Sequence, residues 1–130
     1  MSLKTNYGVN VQVIPHSKQR YVTVGDWWWH NGVLEIRVSA MDDWRYEALV
    51  AFHEEYEALA CKRAGVLESE VTAFDKEYEN QRKQEDFSEP GDCPRAPYYI
   101  QHQQATICER QLALALGVNW EVYEAKVNSL

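Results

Sequence analysis

The chain has 130 residues, which is the size of one folded domain. Hydrophobic residues make up 45% of the sequence and charged residues 25%, values typical of a globular protein, and no apolar run is long enough to span a membrane. Thirteen basic and twenty acidic side chains give a formal charge of −7, which argues against a protein that binds nucleic acid through its phosphates.

The first forty residues predict an antiparallel sheet of about three strands within residues 9–40. Apolar residues at positions 9, 11 and 13 alternate with polar ones until Pro15 ends the run, and a second alternation covers residues 21–24. Asn31 and Gly32 then separate two runs of strand-forming residues, which is typical of a tight hairpin because both turn positions favour positive φ. In the run after this turn, the apolar residues 34, 36 and 38 are expected to face the core.

Three consecutive tryptophans, residues 27–29, precede the predicted turn. In a strand the first and third of them share one face and the second takes the other, so at least one face is expected to belong to the core. The alternative is an exposed aromatic surface on which a sugar or a peptide stacks.

The remainder of the chain predicts helices, so the fold class is α+β and residues 1–130 form a single domain. The first helix is expected to be capped by Asp42 or Asp43 and to end before Gly65. Prolines and a glycine between about 86 and 96 predict an irregular loop, and Pro97 suits the first position of the helix that follows. The predicted helices span residues 42–64, 68–85, 97–116 and 119–128, the last of them capped by Asn119.

Two polar side chains lie on the apolar face of the first predicted helix. His53 and Glu57 are one turn apart, roughly 6 Å along the helix axis. Burying an unpaired carboxylate is unfavourable, so Glu57 is expected to be hydrogen-bonded, protonated or bound to a metal ion. An alternative stays open, because helices often carry this spacing by chance: the two residues then form an ordinary hydrogen-bonded pair at the edge of the core.

The segment from His53 to Glu57 has the pattern HExxE, a variant of the zinc-binding HExxH motif. In HExxH enzymes the two histidines hold zinc from one helical face and the Glu activates the attacking water. Here Glu57 stands in the position of the second histidine, and a carboxylate oxygen can serve as a zinc ligand there. Of the other three histidines, two lie in predicted turns, so His102 on the third predicted helix is the candidate third ligand. The sequence thus predicts a zinc ion, or another divalent metal ion, held by His53, Glu57 and His102, with Glu54 as the catalytic base.

A further acidic residue is a candidate supporting group for this site. Asp75 lies near the inward side of the second predicted helix, where it could accept a hydrogen bond from a ligand histidine. The alternative is an ordinary solvated acid on a helix surface.

Other catalytic motifs fit the sequence less well. The all-helical nucleotide pyrophosphohydrolases need an ExxD after their EExxE, and a di-iron bundle needs two ExxH motifs on facing helices. The one ExxD that follows, residues 89–92 (EPGD), lies in the predicted loop and not on a helix, and no ExxH occurs. The sequence also has no Walker loop and no GxGxxG.

Several segments together resemble a small zincin-like protein family encoded by phages and prophages. The resemblance covers nearly the whole chain and implies a minimal zincin-like fold with a metal site on an HExxE helix, but it implies no substrate. Gln101 departs from the family pattern, in which an acidic residue often precedes the later histidine and could support it as a ligand. The segments that carry the resemblance are 13–16 (VIPH), 21–28 (YVTVGDWW), 43–46 (DWRY), 57–59 (EAL), 73–75 (AFD), 89–92 (EPGD), 96–98 (APY) and 116–120 (LGVNW), with His53, Glu54 and His102.

Two functions are consistent with these residues. The first is a zinc-dependent, peptidase-like metallohydrolase acting on a peptide or protein. The alternative is a non-catalytic phage interaction or structural protein on a zincin-like scaffold, with or without bound metal. No nucleic-acid or membrane partner is expected, and the three cysteines without a CxxC pair and the lack of a signal-peptide apolar region predict a cytoplasmic protein.

Overall fold

Three β-strands precede four α-helices in the computed structural model, which describes residues 7–130. This order confirms the predicted α+β class, and residues 1–6 of the predicted domain lie outside the described part of the chain. The strands are β1 (Gly8–Ile14), β2 (Gly25–His30) and β3 (Val33–Ser39). The helices are α1 (Trp44–Ala64), α2 (Glu68–Asn80), α3 (Tyr99–Ala115) and α4 (Trp120–Asn128).

The sheet is mixed, which corrects the predicted antiparallel arrangement. Its strand order is β1-β3-β2, with β2 antiparallel to β3 but β1 parallel to it. The reason lies in the connection from Ile14 to Gly25, which begins with Pro15 and a short 3-10 turn at His16–Lys18. This connection is too long for a tight hairpin, so β1 and β2 do not pair and β3 lies between them.

The predicted hairpin of β2 and β3 is confirmed. Its turn residues Asn31 and Gly32 have φ angles of 49° and 78°, a left-handed conformation that these two residue types adopt most readily. β2 begins at Gly25, so the alternating residues 21–24 belong to the preceding connection and not to a strand. The alternating residues of β3 are fully buried, as predicted: Leu34, Ile36 and Val38.

The three tryptophans lie in β2, and one face of this strand contributes to the hydrophobic core. Trp27 is buried and packs in the hydrophobic core. On the opposite face, the guanidinium carbons of Arg20 and Arg37 lie 4.4 and 5.0 Å from the centre of the Trp28 ring. Because two arginines already stack on the Trp28 ring through cation–π contacts, this ring does not offer the free surface that the alternative prediction requires for a sugar or a peptide.

α1 and α4 begin at their predicted capping residues. The Asp43 side chain accepts a hydrogen bond from the backbone N–H of Arg45, and the Asn119 side chain accepts one from Val122. α1 ends where Gly65 takes a left-handed φ of 79°, again as predicted.

α2 and the start of α3 differ from the prediction. α2 ends at Asn80 and not at residue 85, because residues 79–85 include no apolar side chain that could pack a further turn against the core. Arg82 instead donates to the Ser88 carbonyl at 2.8 Å. α3 begins at Tyr99, so Pro97 lies before the helix and not at its first position.

α1 is the element that connects the sheet to the remaining helices. It contacts β2 and β3 on one side and α3 on the other, while a 3-10 turn at Pro90–Asp92 contacts both α2 and α3. The buried Leu49 and Cys61 of α1 belong to the core, so Cys61 has a packing role. Within residues 7–130, no helix combines the length and the apolar character needed to cross a membrane.

Candidate metal centre

The packing of α1 against α3 brings together the three side chains predicted to bind a metal ion. Nε2 of His53 lies 3.2 Å from Oε2 of Glu57 and 3.2 Å from Nδ1 of His102, and the latter two atoms are 2.9 Å apart. All three residues are buried. His53, Glu57 and His102 are therefore close enough to bind one metal ion, and His53 and Glu57 are not an isolated pair.

The spacing of the three atoms fits a coordination shell. A tetrahedral ion with bonds of about 2.1 Å holds its ligand atoms about 3.4 Å apart, close to the observed separations. Two imidazole nitrogens and one carboxylate oxygen are also the ligand types of catalytic zinc sites. The residues present thus fit a metal ion in both geometry and chemistry.

Protons alone do not satisfy these three contacts. Burial raises the pKa of Glu57, but hydrogen bonds from His102 and His53 outweigh burial and lower it to about 2, so Glu57 is ionised near neutral pH. If both facing nitrogens carry a proton, two N–H donors meet at 3.2 Å; if only one does, a nitrogen lone pair faces the carboxylate. A cation placed between the three atoms removes this conflict, because all three then act as electron-pair donors.

Both histidines are surrounded by carboxylates that favour positive charge. Burial lowers the pKa of His53, but hydrogen bonds to Glu109 and Glu57 raise it well above its ordinary value. For His102, burial is again outweighed, here by Asp92, Glu57 and Glu89, and the pKa is raised. The negative charge that stabilises these protons would equally stabilise a bound metal cation.

Glu109 on α3 orients the first ligand. Its Oε1 lies 2.7 Å from Nδ1 of His53, and its Oε2 accepts a hydrogen bond from the Tyr123 hydroxyl at 2.6 Å. An acceptor at Nδ1 keeps the ring proton there, so the lone pair of Nε2 is directed at the centre. Glu109 thereby provides the supporting carboxylate that zinc-bound histidines commonly have.

The indole of Trp27 fixes the remaining oxygen of Glu57. Trp27 Nε1 donates to Glu57 Oε1 at 3.1 Å, which leaves Oε2 facing the two histidines. The buried tryptophan of β2 therefore links the sheet directly to the centre.

Gly91 holds the loop before α3 against the His102 ring. A Cβ at position 91 would overlap Cγ and Nδ1 of His102, so only glycine allows the backbone to approach this closely. On the far side of the ring, Nε2 lies 3.0 Å from Oε2 of Glu89 and 3.4 Å from Oδ1 of Asp92. The loop thus places two carboxylates near His102, whereas Gln101, the residue directly before His102, carries no carboxylate.

Glu54 lies next to the centre at the side of a cleft of about 810 Å³. Its carboxylate is in contact with Gly25, where a Cβ would overlap Glu54 Oε1 and come within 2.7 Å of Val50 Cγ1. Burial and the nearby Glu57 carboxylate raise the pKa of Glu54 well above its ordinary value. The cleft lies between β2, α1, α2, the loop at 82–92 and α4, and the three ligand candidates line it.

Asp75 is buried, but its partners are tyrosines. It accepts hydrogen bonds from the hydroxyls of Tyr21, at 2.8 Å, and Tyr98. No hydrogen bond joins it to a histidine in the described chain, and Glu109 has the role that the sequence suggested for Asp75. Burial raises the pKa of Asp75 to about 7, against hydrogen bonds from the two tyrosines that lower it.

No protein-family model, curated protein or solved structure matches the chain. The resemblance to phage-encoded zincin-like proteins therefore stays a prediction.

Two residues of the centre, Glu109 and Trp27, were not predicted from the sequence. Glu109 could have been predicted, because it follows His102 by two helical turns and so lies on the same face of α3. The role of Trp27 could not, because its contact with Glu57 joins residues thirty positions apart and depends on how α1 crosses the sheet.

Proposed function

We propose that the protein is a zinc-dependent hydrolase of the zincin type that cleaves a peptide or another amide. The observation that carries the proposal is the convergence of His53 Nε2, Glu57 Oε2 and His102 Nδ1, each within 3.2 Å of the others. Two histidines and one glutamate form the ligand set of known catalytic zinc sites, which leave one position for water or substrate. Zinc bound there would polarise a scissile carbonyl and lower the pKa of water.

Glu54 is the residue that would move protons. It follows His53 directly on α1 and lines the cleft, so its carboxylate lies on the side from which a substrate would enter. The raised pKa makes Glu54 a stronger base than an exposed glutamate. In this role Glu54 accepts a proton from the attacking water and returns it to the leaving amine.

The edge of β2 would align an extended substrate beside these groups. The Val24 carbonyl accepts from the Ser39 N–H, so backbone groups of even-numbered β2 residues face β3 and those of Gly25 and Trp27 face the open edge. Residues 22–27 line the cleft, which brings this edge next to Glu54. A peptide could add to the edge as a further strand.

The test compares Glu54→Gln with Glu55→Gln. Glu55 is the next residue on α1, but its carboxylate accepts from the Tyr7 hydroxyl at 2.7 Å and it does not line the cleft. With zinc added, a peptide pool analysed by mass spectrometry should be cleaved by the wild type and by Glu55→Gln. Glu54→Gln should bind zinc as the wild type does and lose at least 100-fold in cleavage rate.

Two results would contradict the proposal. If the wild type, prepared without an affinity tag, binds no zinc, the metal centre is absent. If zinc binds and Glu54→Gln changes only the thermal stability, the centre is structural, and the non-catalytic scaffold becomes the better proposal.

A further inference from the structure

The far side of the His102 ring carries a second group of ligand atoms. His102 Nε2, a Glu89 oxygen and an Asp92 oxygen all lie within 4.8 Å of one another. His102 is 6% exposed, whereas both carboxylates lie at the surface of the loop before α3. The group is thus anchored on a buried imidazole and open to solvent on its acidic side.

Nε2 of His102 has no hydrogen-bond partner, although two carboxylates lie close to it. The oxygens of Glu89 and Asp92 are 3.0 and 3.4 Å away, but neither stands in the direction in which an N–H would point. His53 provides the contrast within the same centre, because its Nδ1 is hydrogen-bonded to Glu109 at 2.7 Å. Glu89 and Asp92 therefore do not orient the His102 ring through a hydrogen bond, as Glu109 orients the His53 ring.

Within the described residues, His102 is the only basic side chain beside the two carboxylates. No lysine or arginine within residues 7–130 forms an ion pair with Glu89 or Asp92. Gln103 donates a side-chain hydrogen bond to Asp92 Oδ1 at 2.9 Å. Two acidic groups within 3.4 Å of a buried imidazole nitrogen form an arrangement that a divalent cation would neutralise once the ring proton has left.

We propose that His102 Nε2, Glu89 and Asp92 bind a second divalent cation, so that His102 is shared between an inner and an outer metal site. The inner site uses Nδ1 and the outer site uses Nε2 of the same ring. When both sites are filled, the ring proton leaves to solvent. The two dications are then balanced by Glu57, Glu89, Asp92 and the deprotonated imidazole.

Gly91 allows the loop that carries the two carboxylates to approach His102 closely. Its backbone lies against the His102 ring, and it stands between Pro90 and Asp92 in the short 3-10 turn. Glu89 directly precedes this turn and Asp92 ends it, so both side chains extend from backbone that lies next to the His102 ring.

The test is the number of zinc ions bound per chain, measured by native mass spectrometry and equilibrium dialysis on metal-stripped protein given Zn²⁺ alone. The wild type should bind two. The double variant Glu89→Gln/Asp92→Asn should keep only the inner ion, and Glu57→Gln should keep only the outer one. The matched control is Glu85→Gln/Glu124→Gln, which removes two exposed charges from the same cleft and should still bind two.

The variants separate this inference from the proposed function. One ion in the wild type that is lost in Glu57→Gln but kept in Glu89→Gln/Asp92→Asn would overturn the outer site and leave the inner one. One ion with the opposite behaviour would overturn the inner site instead. Equal loss in the control double variant would show that charge in general, and not these ligands, attracts the ion, and an absence of binding would overturn both sites.

Discussion

Glu109 Oε1 lies 2.7 Å from Nδ1 of His53, and both groups are buried between α1 and α3. The carboxylate determines which ring nitrogen keeps the proton and therefore which one can face a metal ion. Tyr123 on α4 holds the second oxygen of Glu109, so the orientation of His53 depends on three helices.

Glu109→Gln should weaken zinc binding about 10- to 100-fold without unfolding the protein. The amide oxygen can still accept from Nδ1, but it no longer carries the charge that makes the imidazole a better ligand. Competition with a chromophoric chelator measures the change in Kd. Glu124→Gln, an exposed acid of the same cleft, is the control, and a Kd for Glu109→Gln equal to that of the control would contradict the role of Glu109.

The elements predicted with success are those that local chemistry specifies. The hairpin follows from Asn31-Gly32, and the ends of α1 follow from Asp43 and Gly65, each through a backbone preference of the residue itself. The inward direction of His53 and Glu57 also follows from periodicity along a single helix.

The remainder depends on contacts between distant segments. The parallel pairing of β1 with β3 is a property of the whole sheet, and no residue within β1 signals it. Asp75 shows the same limit, because helical spacing placed it inward but could not distinguish a histidine partner from Tyr21 and Tyr98. Periodicity gives the face of a helix, and tertiary packing decides what meets that face.

Gly91→Ala should lower zinc affinity at least tenfold and destabilise the fold by about 1–3 kcal/mol. The added methyl group overlaps the His102 ring, so either the ring or the loop has to move. Gly8→Ala is the control, because its Cβ would meet Val33 Cγ2 at an ordinary 3.6 Å. Zinc titration and urea unfolding of both variants measure the effect, and unchanged zinc affinity in Gly91→Ala would show that the contact does not position His102.

Asp75 should make the metal-free protein less stable as the pH rises. Burial is the main cause that raises its pKa from 3.8 to about 7, so the folded state holds the proton more tightly than the unfolded state. The free energy of unfolding therefore decreases between about pH 4 and pH 7 and is level above that range. One pKa unit corresponds to about 1.4 kcal/mol, so a shift from 3.8 to about 7 contributes on the order of 4 kcal/mol.

The comparison with Asp75→Asn isolates this contribution. Asparagine keeps an acceptor for Tyr21 or Tyr98 but does not titrate, so the variant should gain stability relative to the wild type as the pH increases from 4 to 7. Urea unfolding at several pH values, with chelator present, measures the difference. Parallel curves for the two proteins would mean that Asp75 is not protonated in the folded state.

Zinc should stabilise the folded protein through the inner site. An ion that binds only the folded chain at a free concentration 100 times its Kd adds about 2.7 kcal/mol to the free energy of unfolding. Glu57→Gln should lose most of this gain, because the ionised oxygen that faces both histidines is removed. Glu55→Gln, two residues away and hydrogen-bonded to Tyr7, should keep it in full. Equal stabilisation of both variants would place the bound zinc elsewhere, since only Glu57 of the two glutamates reaches the imidazoles of α1 and α3.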